Sequence, residues 1–229
     1  MNPLRLTSIL VWLFVANVLQ AQTVTETRSL SAFDKLMVSN SIEAELVPGE
    51  QYELTITASG MDPENVETKV NKRKLEISIS GSYPKSSSVK VVLTYVELDD
   101  IEVDSGAKVI LKNALESKTI RLQVASNGYL EAEVNADELY LRAQTNSKLY
   151  VKGKANSLDY NAFTNAEIDG EGLQVNHAEV RTNTNASGSF EVKESLKGSA
   201  ATRGRVRYKG TPNVIDIKET VGGTIEKLE

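Results

Sequence analysis

The chain has 229 residues, a formal net charge of −5, 6% aromatic residues, one histidine and no cysteine. Without thiols there is no disulfide framework and no thiolate metal site. The acidic balance leaves no electrostatic case for nucleic acid.

Residues 1–21 read as a secretory signal peptide. Arg5 gives a positive start, an apolar run extends from Ile9 to Leu19, and the small Ala21 precedes Gln22. The run is short for a membrane span, which needs roughly 20 apolar residues. The mature protein is therefore expected to be exported (periplasmic, cell-surface associated or secreted) and not transmembrane. Losing Arg5 leaves 25 basic against 31 acidic side chains, a charge of −6. Residues 22–32 are polar and aperiodic and are expected to form a linker.

Residues 33–96 are expected to form a short β-rich N-terminal part. Phe33, Leu36, Val38, Ile42, Ala44 and Leu46 mark one alternating run. Val47-Pro48-Gly49-Glu50 is a turn signal, and Tyr52, Leu54, Ile56 and Ala58 then alternate with polar residues. The two runs predict a β-hairpin. Asp62-Pro63-Glu64 predicts a helical turn with Asp62 as N-cap and Pro63 at the first helical position; Val66 and Val70 lie four apart as a helix would place them, though a strand can also carry them. Leu75, Ile77 and Ile79, then Val89 to Val96, predict two more strands around a Ser-, Pro- and Gly-containing loop.

Residues 97–212 carry a repeat. Ser126-Asn127, Thr145-Asn146, Thr164-Asn165 and Thr184-Asn185 recur at spacings of 19, 19 and 20 residues. A fixed period near 20 is the signature of a solenoid. Leu122, Val124, Leu130, Ala132 and Val134 alternate inward. Adding 19 gives Leu141, Ala143, Leu149, Val151 and Gly153; adding 19 again gives Tyr160, Ala162, Ile168, Gly170 and Gly172. A leucine-rich repeat fits Leu122 to Asn127, but the apolar residues beyond Asn127 alternate at period two. The expected fold is all-β: a single-stranded parallel β-helix-like solenoid of 19–21-residue coils, with residues 213–229 as a C-terminal tail or cap.

Asn127, Asn146, Asn165 and Asn185 are read as a structural ladder: asparagine tolerates left-handed turns, and stacked amides bond one another. The adjacent hydroxyls predict a second ladder beside it. Glu133, Lys152, Glu171 and Glu191 are expected to stack on an ordinary solvated face. Tyr129, Tyr140, Tyr150 and Phe163 are expected on the outside, where aromatics can stack on sugars; they are the candidate ligand-binding residues.

His177 is the only histidine, and no serine sits in a nucleophile elbow. Three or four nitrogen or sulfur ligands for zinc are lacking, so no metal, cofactor or catalytic residue is expected. Acidic clusters at Asp99, Asp100 and Asp104, and at Asp169 and Glu171, leave carboxylate chemistry as an alternative.

The region from Phe33 onward resembles the "putative autotransporter adhesin, head GIN domain" family of exported Bacteroidetes proteins. The resemblance rests on Phe33-Asp34-Lys35-Leu36-Met37-Val38-Ser39-Asn40-Ser41-Ile42, on Pro48-Gly49, and on Arg207-Tyr208-Lys209-Gly210-Thr211-Pro212. It implies a β-solenoid and supplies no catalytic residue. The expected role is a non-catalytic cell-envelope binding or scaffolding module, adhesin-like, whose partner is a cell-surface glycan or envelope protein. The alternatives are a carbohydrate-active β-helix enzyme and a self-assembling structural protein.

Overall fold

The computed structural model describes residues 23–82 and 84–228, so the expected signal peptide lies outside the described residues. In chain order the strands are β1 (Thr23–Ser29), β2 (Lys35–Val38), β3 (Glu43–Pro48), β4 (Glu53–Ser59), β5 (Val66–Asn71), β6 (Lys74–Ile79), β7 (Ser88–Tyr95), β8 (Asp100–Val103) and β9 (Lys108–Leu111). They continue as β10 (Leu115–Val124), β11 (Tyr129–Gln144), β12 (Lys148–Phe163), β13 (Glu167–Asn183), β14 (Ser187–Ala200), β15 (Arg205–Lys209), β16 (Val214–Glu219) and β17 (Thr224–Lys227). The protein is a β-solenoid of parallel stacked coils, as the period of the asparagines predicts.

Each regular coil makes one tight turn and one softer bend. At the tight turn two successive residues have positive φ, as in Thr145 (57°) and Asn146 (59°), or Thr164 (53°) and Asn165 (59°). Such a turn reverses the chain within two residues. At the bend the strand does not end: in β11 the consecutive exposed residues Asp137 and Glu138 switch the parity, so that Leu130, Ala132 and Val134 and then Leu139, Leu141 and Ala143 all face inward. Registers between β11 and β12 are in phase over their whole length, Leu130 on Leu149 and Leu141 on Tyr160.

The turn ladder extends beyond the Ser/Thr-Asn pairs. Asn40-Ser41, Ser105-Gly106, Thr202-Arg203 and Val221-Gly222 have the same left-handed geometry. The second residue of each turn donates its backbone N–H to the first residue of the next: Ser41 to Ser105, Gly106 to Ser126, Asn127 to Thr145, Asn146 to Thr164, Asn165 to Thr184, Asn185 to Thr202 and Arg203 to Val221, all within 2.9–3.1 Å. This backbone ladder stands where the sequence predicts stacked hydroxyls. Thr184 instead turns its hydroxyl to Asn183, 3.1 Å away. Side-chain amide bonds join Asn165 to Asn146 at 3.2 Å and Asn185 to Asn165 at 3.1 Å. A further amide bond, absent from the sequence reading, joins Asn176 to Asn156 at the bend.

Four sequence expectations are corrected or refined. Residues 23–29 are not a linker: β1 pairs antiparallel with β4 along its length, Thr23 on Ser59 to Ser29 on Glu53. The first two alternating runs are not a hairpin, because β7 lies between them, parallel to β3 and antiparallel to β4. The helical turn forms as expected, a short 3-10 turn at Pro63–Asn65 with the Asp62 carboxylate accepting from the Glu64 N–H, but Val66 and Val70 lie on β5. Within residues 213–229, expected as a tail or cap, β16 stacks on β14 and β17 on β15 as a further coil.

Nor does a boundary separate residues 33–96 from the coils. β2 pairs with β8 and β3 with β9, so residues 35–48 form a coil stacked directly on the next one. β6 and β7 stack on the other side of that coil. The spatial order of the coils is thus not their chain order. β5 on β6, and β4 with β1 on β7, end this side of the molecule with antiparallel strands.

One continuous core fills the stack, from Phe33 through Leu75, Ile101, Leu122 and Leu141 to Val206 and Ile225. Its bulkiest fully buried side chain is Tyr160, whose hydroxyl donates to the Ser187 carbonyl at 3.2 Å. Burial pushes that phenol far above its ordinary pKa. Gly188 makes the room: a Cβ there would sit 1.9 Å from the Tyr160 hydroxyl and 2.3 Å from the Ile168 carbonyl.

Candidate functional site

Parity places Tyr129, Tyr140, Tyr150 and Phe163 outward, but the tight turns and bends split them between two faces. Tyr129 and Tyr150 lie on the face before the bend; Tyr140 and Phe163 lie on the face after it. Tyr129 and Tyr150 are diagonal neighbours on adjacent coils, with ring centroids 5.3 Å apart and planes tilted by 36°. Each covers the other, so both are half-buried. Lys108 lies 5.2 Å over the Tyr129 ring, and the Tyr129 hydroxyl donates to Glu131 at 3.2 Å. Burial and then the Glu131 charge raise the Tyr129 phenol pKa. On the other face, Arg121 covers Tyr140 at 4.8 Å and Arg142 covers Phe163 at 5.8 Å. Those two rings are each occupied by a guanidinium and do not meet.

Beside Tyr150 the solenoid loses its regularity. β12 and β13 slip register between Tyr150 and Lys152, so Tyr150 faces Asp169 while Lys152 faces Gly172. The extra residue of the 20-residue coil therefore falls at 170–172. This overturns three sequence assignments: Gly172 is exposed rather than inward, Glu171 leaves the column below Lys152, and Glu191 stands opposite Gln174 instead. Leu173, fully buried, takes the inward place beneath Gly153. β13 and β14 slip again between Asp169 and Gln174. Such a bulge bends the strand and re-aims its side chains. Glycine is required at its start, because a Cβ on Gly170 would lie 2.6 Å from the Ser189 carbonyl.

The result is a depression of about 280 Å³ lined by Glu131, Tyr150, Val151, Lys152, Asp169 and Glu171, among others. Its floor is apolar and its rim charged. Lys152 pairs with Glu133 at 3.0 Å, outside the depression. Asp169 accepts the Glu171 backbone N–H at 3.1 Å, which fixes the bulge and leaves acceptor capacity on both carboxylates. An aromatic face flanked by carboxylates is suited to hydroxyl-rich ligands: the ring takes the C–H face and the acids accept from O–H groups. Among the described residues no group of three or more His, Asp or Glu could hold a metal ion.

A second depression, about 370 Å³, lies at the bend and includes Tyr140, Asp159, His177 and Ser195. His177 Nδ1 is 2.9 Å from the Ser195 hydroxyl and its Nε2 is 3.5 Å from Glu194. Sequence reasoning missed this contact, because stacking and not chain proximity brings the three together. Ser195 is held between His177 and Val214 in parallel ladders, which take up the backbone groups an oxyanion hole would use. Of the acidic clusters, Asp99 and Asp100 have raised pKa values, in both cases mainly through burial. Asp104 is turned onto the Ser105 backbone.

Fold and site define a β-solenoid with a bulged coil that carries a tyrosine-lined, carboxylate-rimmed depression. A family model described as "Putative auto-transporter adhesin, head GIN domain" matches residues 32–212, and the chain belongs to that family. It is similar to the crystal structure of a putative adhesin from Bacteroides fragilis NCTC 9343, with 18% identity over 90% of this chain and 97% of that one and a TM-score of 0.78. A putative adhesin from Parabacteroides merdae ATCC 43184 matches at 18% identity, 91% and 97% coverage and a TM-score of 0.69. A structure described as a putative lipid binding protein from Parabacteroides distasonis ATCC 8503 matches at 17% identity, 90% and 97% coverage and a TM-score of 0.65. These likenesses establish the fold. No curated protein matches the chain.

Proposed function

We propose that this protein is an exported, non-catalytic binding module of the cell envelope, adhesin-like, and that it holds a surface glycan against Tyr150 in the depression over the bulged coil. The observation that carries the reading is the coincidence of the stacked Tyr129–Tyr150 pair with the register slip at Tyr150/Lys152. A regular solenoid face is flat; here the irregularity falls beside Tyr150, the one of the four outward aromatics over which no cation lies among the described residues. The family description and the adhesin-named relatives support an extracellular binding role. The lipid-binding name of one relative finds less support in this chain, whose interior is filled by Tyr160, Phe190 and aliphatic side chains.

A glycan array probed with the purified protein tests the reading. Binding is expected, with loss of signal in Tyr150→Ala and retention in Tyr140→Ala on the other face. Removing one stacking aromatic is worth about 1–2 kcal/mol, roughly a five- to thirtyfold loss. Arrays blank throughout, or signal lost only with Tyr140→Ala, would overturn it.

A further inference from the structure

We propose that the outward face bearing Tyr150 continues into a second subsite, between Lys154 and Lys193, which takes the carboxylate or sulfate of an acidic sugar, so that the glycan held by this protein is an acidic one. This subsite rests on the glycan reading for the unit over Tyr150, while separate residues hold the anion. Tyr150, Lys152, Lys154 and Asn156 share one face of β12, with Val151 and Ala155 buried between them. On β13, Gly172 lies beside Lys152 and Gln174 beside Lys154. Lys154 stands four residues beyond Tyr150, about 13 Å along the strand. A short oligosaccharide lying along β12 reaches both. Where it arrives there is a depression of about 230 Å³, whose polar lining is Asn135, Lys154, Asn156, Gln174, Asn176 and Lys193.

A second bulge supplies Lys193. Val175 pairs with Val192 and His177 with Ser195, so Asn176 faces two residues, Lys193 and Glu194. The extra residue parts two opposite charges. Lys193 leans back over Gln174, its Nζ 3.5 Å from Gln174 Oε1. Glu194 turns the other way, its carboxylate 3.5 Å from His177 Nε2. Glu191, one coil beyond Gln174, is taken up by the Gln174 Nε2 group at 3.1 Å. Among the described residues neither Lys154 nor Lys193 pairs with a carboxylate, whereas Lys148 and Lys152 earlier on β12 pair with Glu167 and Glu133. Asn176 donates to Asn156 Oδ1 at 3.0 Å, which holds the Asn156 amide with its own N–H groups left to donate. Two ammonium groups and an amide donor match an anion that can only accept. At the Tyr150 end, Glu131, Asp169 and Glu171 line the depression and repel an anion. The face thus sets the direction of the glycan: an uncharged unit over Tyr150, the acidic unit between the lysines.

An array on which uronic-acid, sialic-acid and sulfated oligosaccharides are each printed beside their uncharged counterparts tests it, with titration calorimetry on the strongest acidic glycan and its counterpart. The acidic member is expected to bind roughly tenfold more tightly. Lys154→Gln and Lys193→Gln should each lower its affinity about three- to tenfold and leave the counterpart unmoved. Both lysines are exposed, so these variants keep the fold, which circular dichroism checks. Lys197→Gln makes the same charge change on the face after the bend and should alter neither affinity. Tyr150→Ala should weaken both members alike. Binding lost in Tyr150→Ala but indifferent to ligand charge and to both lysine variants would overturn the acidic subsite and leave the glycan reading standing. Acid-selective binding lost in the lysine variants but unmoved by Tyr150→Ala would support the subsite and overturn that reading. A blank array would overturn both.

Discussion

The two ends of this solenoid solve one problem in opposite ways. A stack of coils must stop somewhere, and its last coil exposes both an unpaired edge and the core. At the N-terminal side the chain folds back on itself: β5 and β4 run antiparallel to the coil strands, and β1 adds outside β4. Arg28 fastens this closure. Its guanidinium, mostly buried, donates to the Val66 carbonyl at 2.5 Å and the Pro63 carbonyl at 3.0 Å, and pairs with Glu26 at 2.8 Å. Phe33 lies completely buried under Tyr52, centroids 4.8 Å apart. At the other end, among the described residues, nothing comparable covers Ile215, which is about half exposed. The Glu219 carboxylate caps the Ile225 N–H at 2.7 Å, which satisfies a backbone donor without adding apolar cover. The N-terminal end is thus closed by antiparallel strands and a part-buried guanidinium, and the C-terminal end carries a carboxylate cap with less apolar cover.

Stability measurements can break that contrast. The largest effect should come from Phe33→Ala, which opens a cavity at the closed end and should cost about 3–5 kcal/mol in chemical denaturation. Ile215→Ala at the C-terminal end should cost less than about 1 kcal/mol, because half the side chain is already in water. Equal costs would show that the ends do not differ as described. Arg28→Ala comes next, at about 1–3 kcal/mol, since it strands two backbone carbonyls that now accept from the guanidinium. The smallest effect has the opposite sign. Val221 is a β-branched residue at φ 50° in the last turn, a conformation asparagine accepts more readily. Val221→Asn should raise the midpoint of thermal unfolding, by the equivalent of about 0.5–1 kcal/mol. No rise would mean that the turn ladder already absorbs the strain.

The repeat was legible because residue identity and backbone geometry coincide at Asn127, Asn146, Asn165 and Asn185. The equivalent turns at Asn40-Ser41, Ser105-Gly106, Thr202-Arg203 and Val221-Gly222 carry other residue types, so the same geometry left no common signature. The extra residue in the 20-residue coil was visible as a number, but its place was not. Only the fit of Gly170 against the Ser189 carbonyl, and of Leu173 beneath Gly153, decides that the slip falls at 170–172. The outward direction of the four aromatics followed from period-two alternation. Their division into one stacked pair and two separately covered rings depends on neighbours a coil away.

The sequence by itself determined the architecture, the near-19-residue period and the inward and outward columns, because alternation and turn preference are local properties of the chain. Tertiary structure alone decided that the β6–β7 coil stacks outside the β2–β3 coil, that residues 23–29 and 214–227 belong to the sheet, and that Tyr150 stands beside a bulge. Parallel pairing joins residues far apart in sequence, and its register is settled by which side chains fit in the shared core.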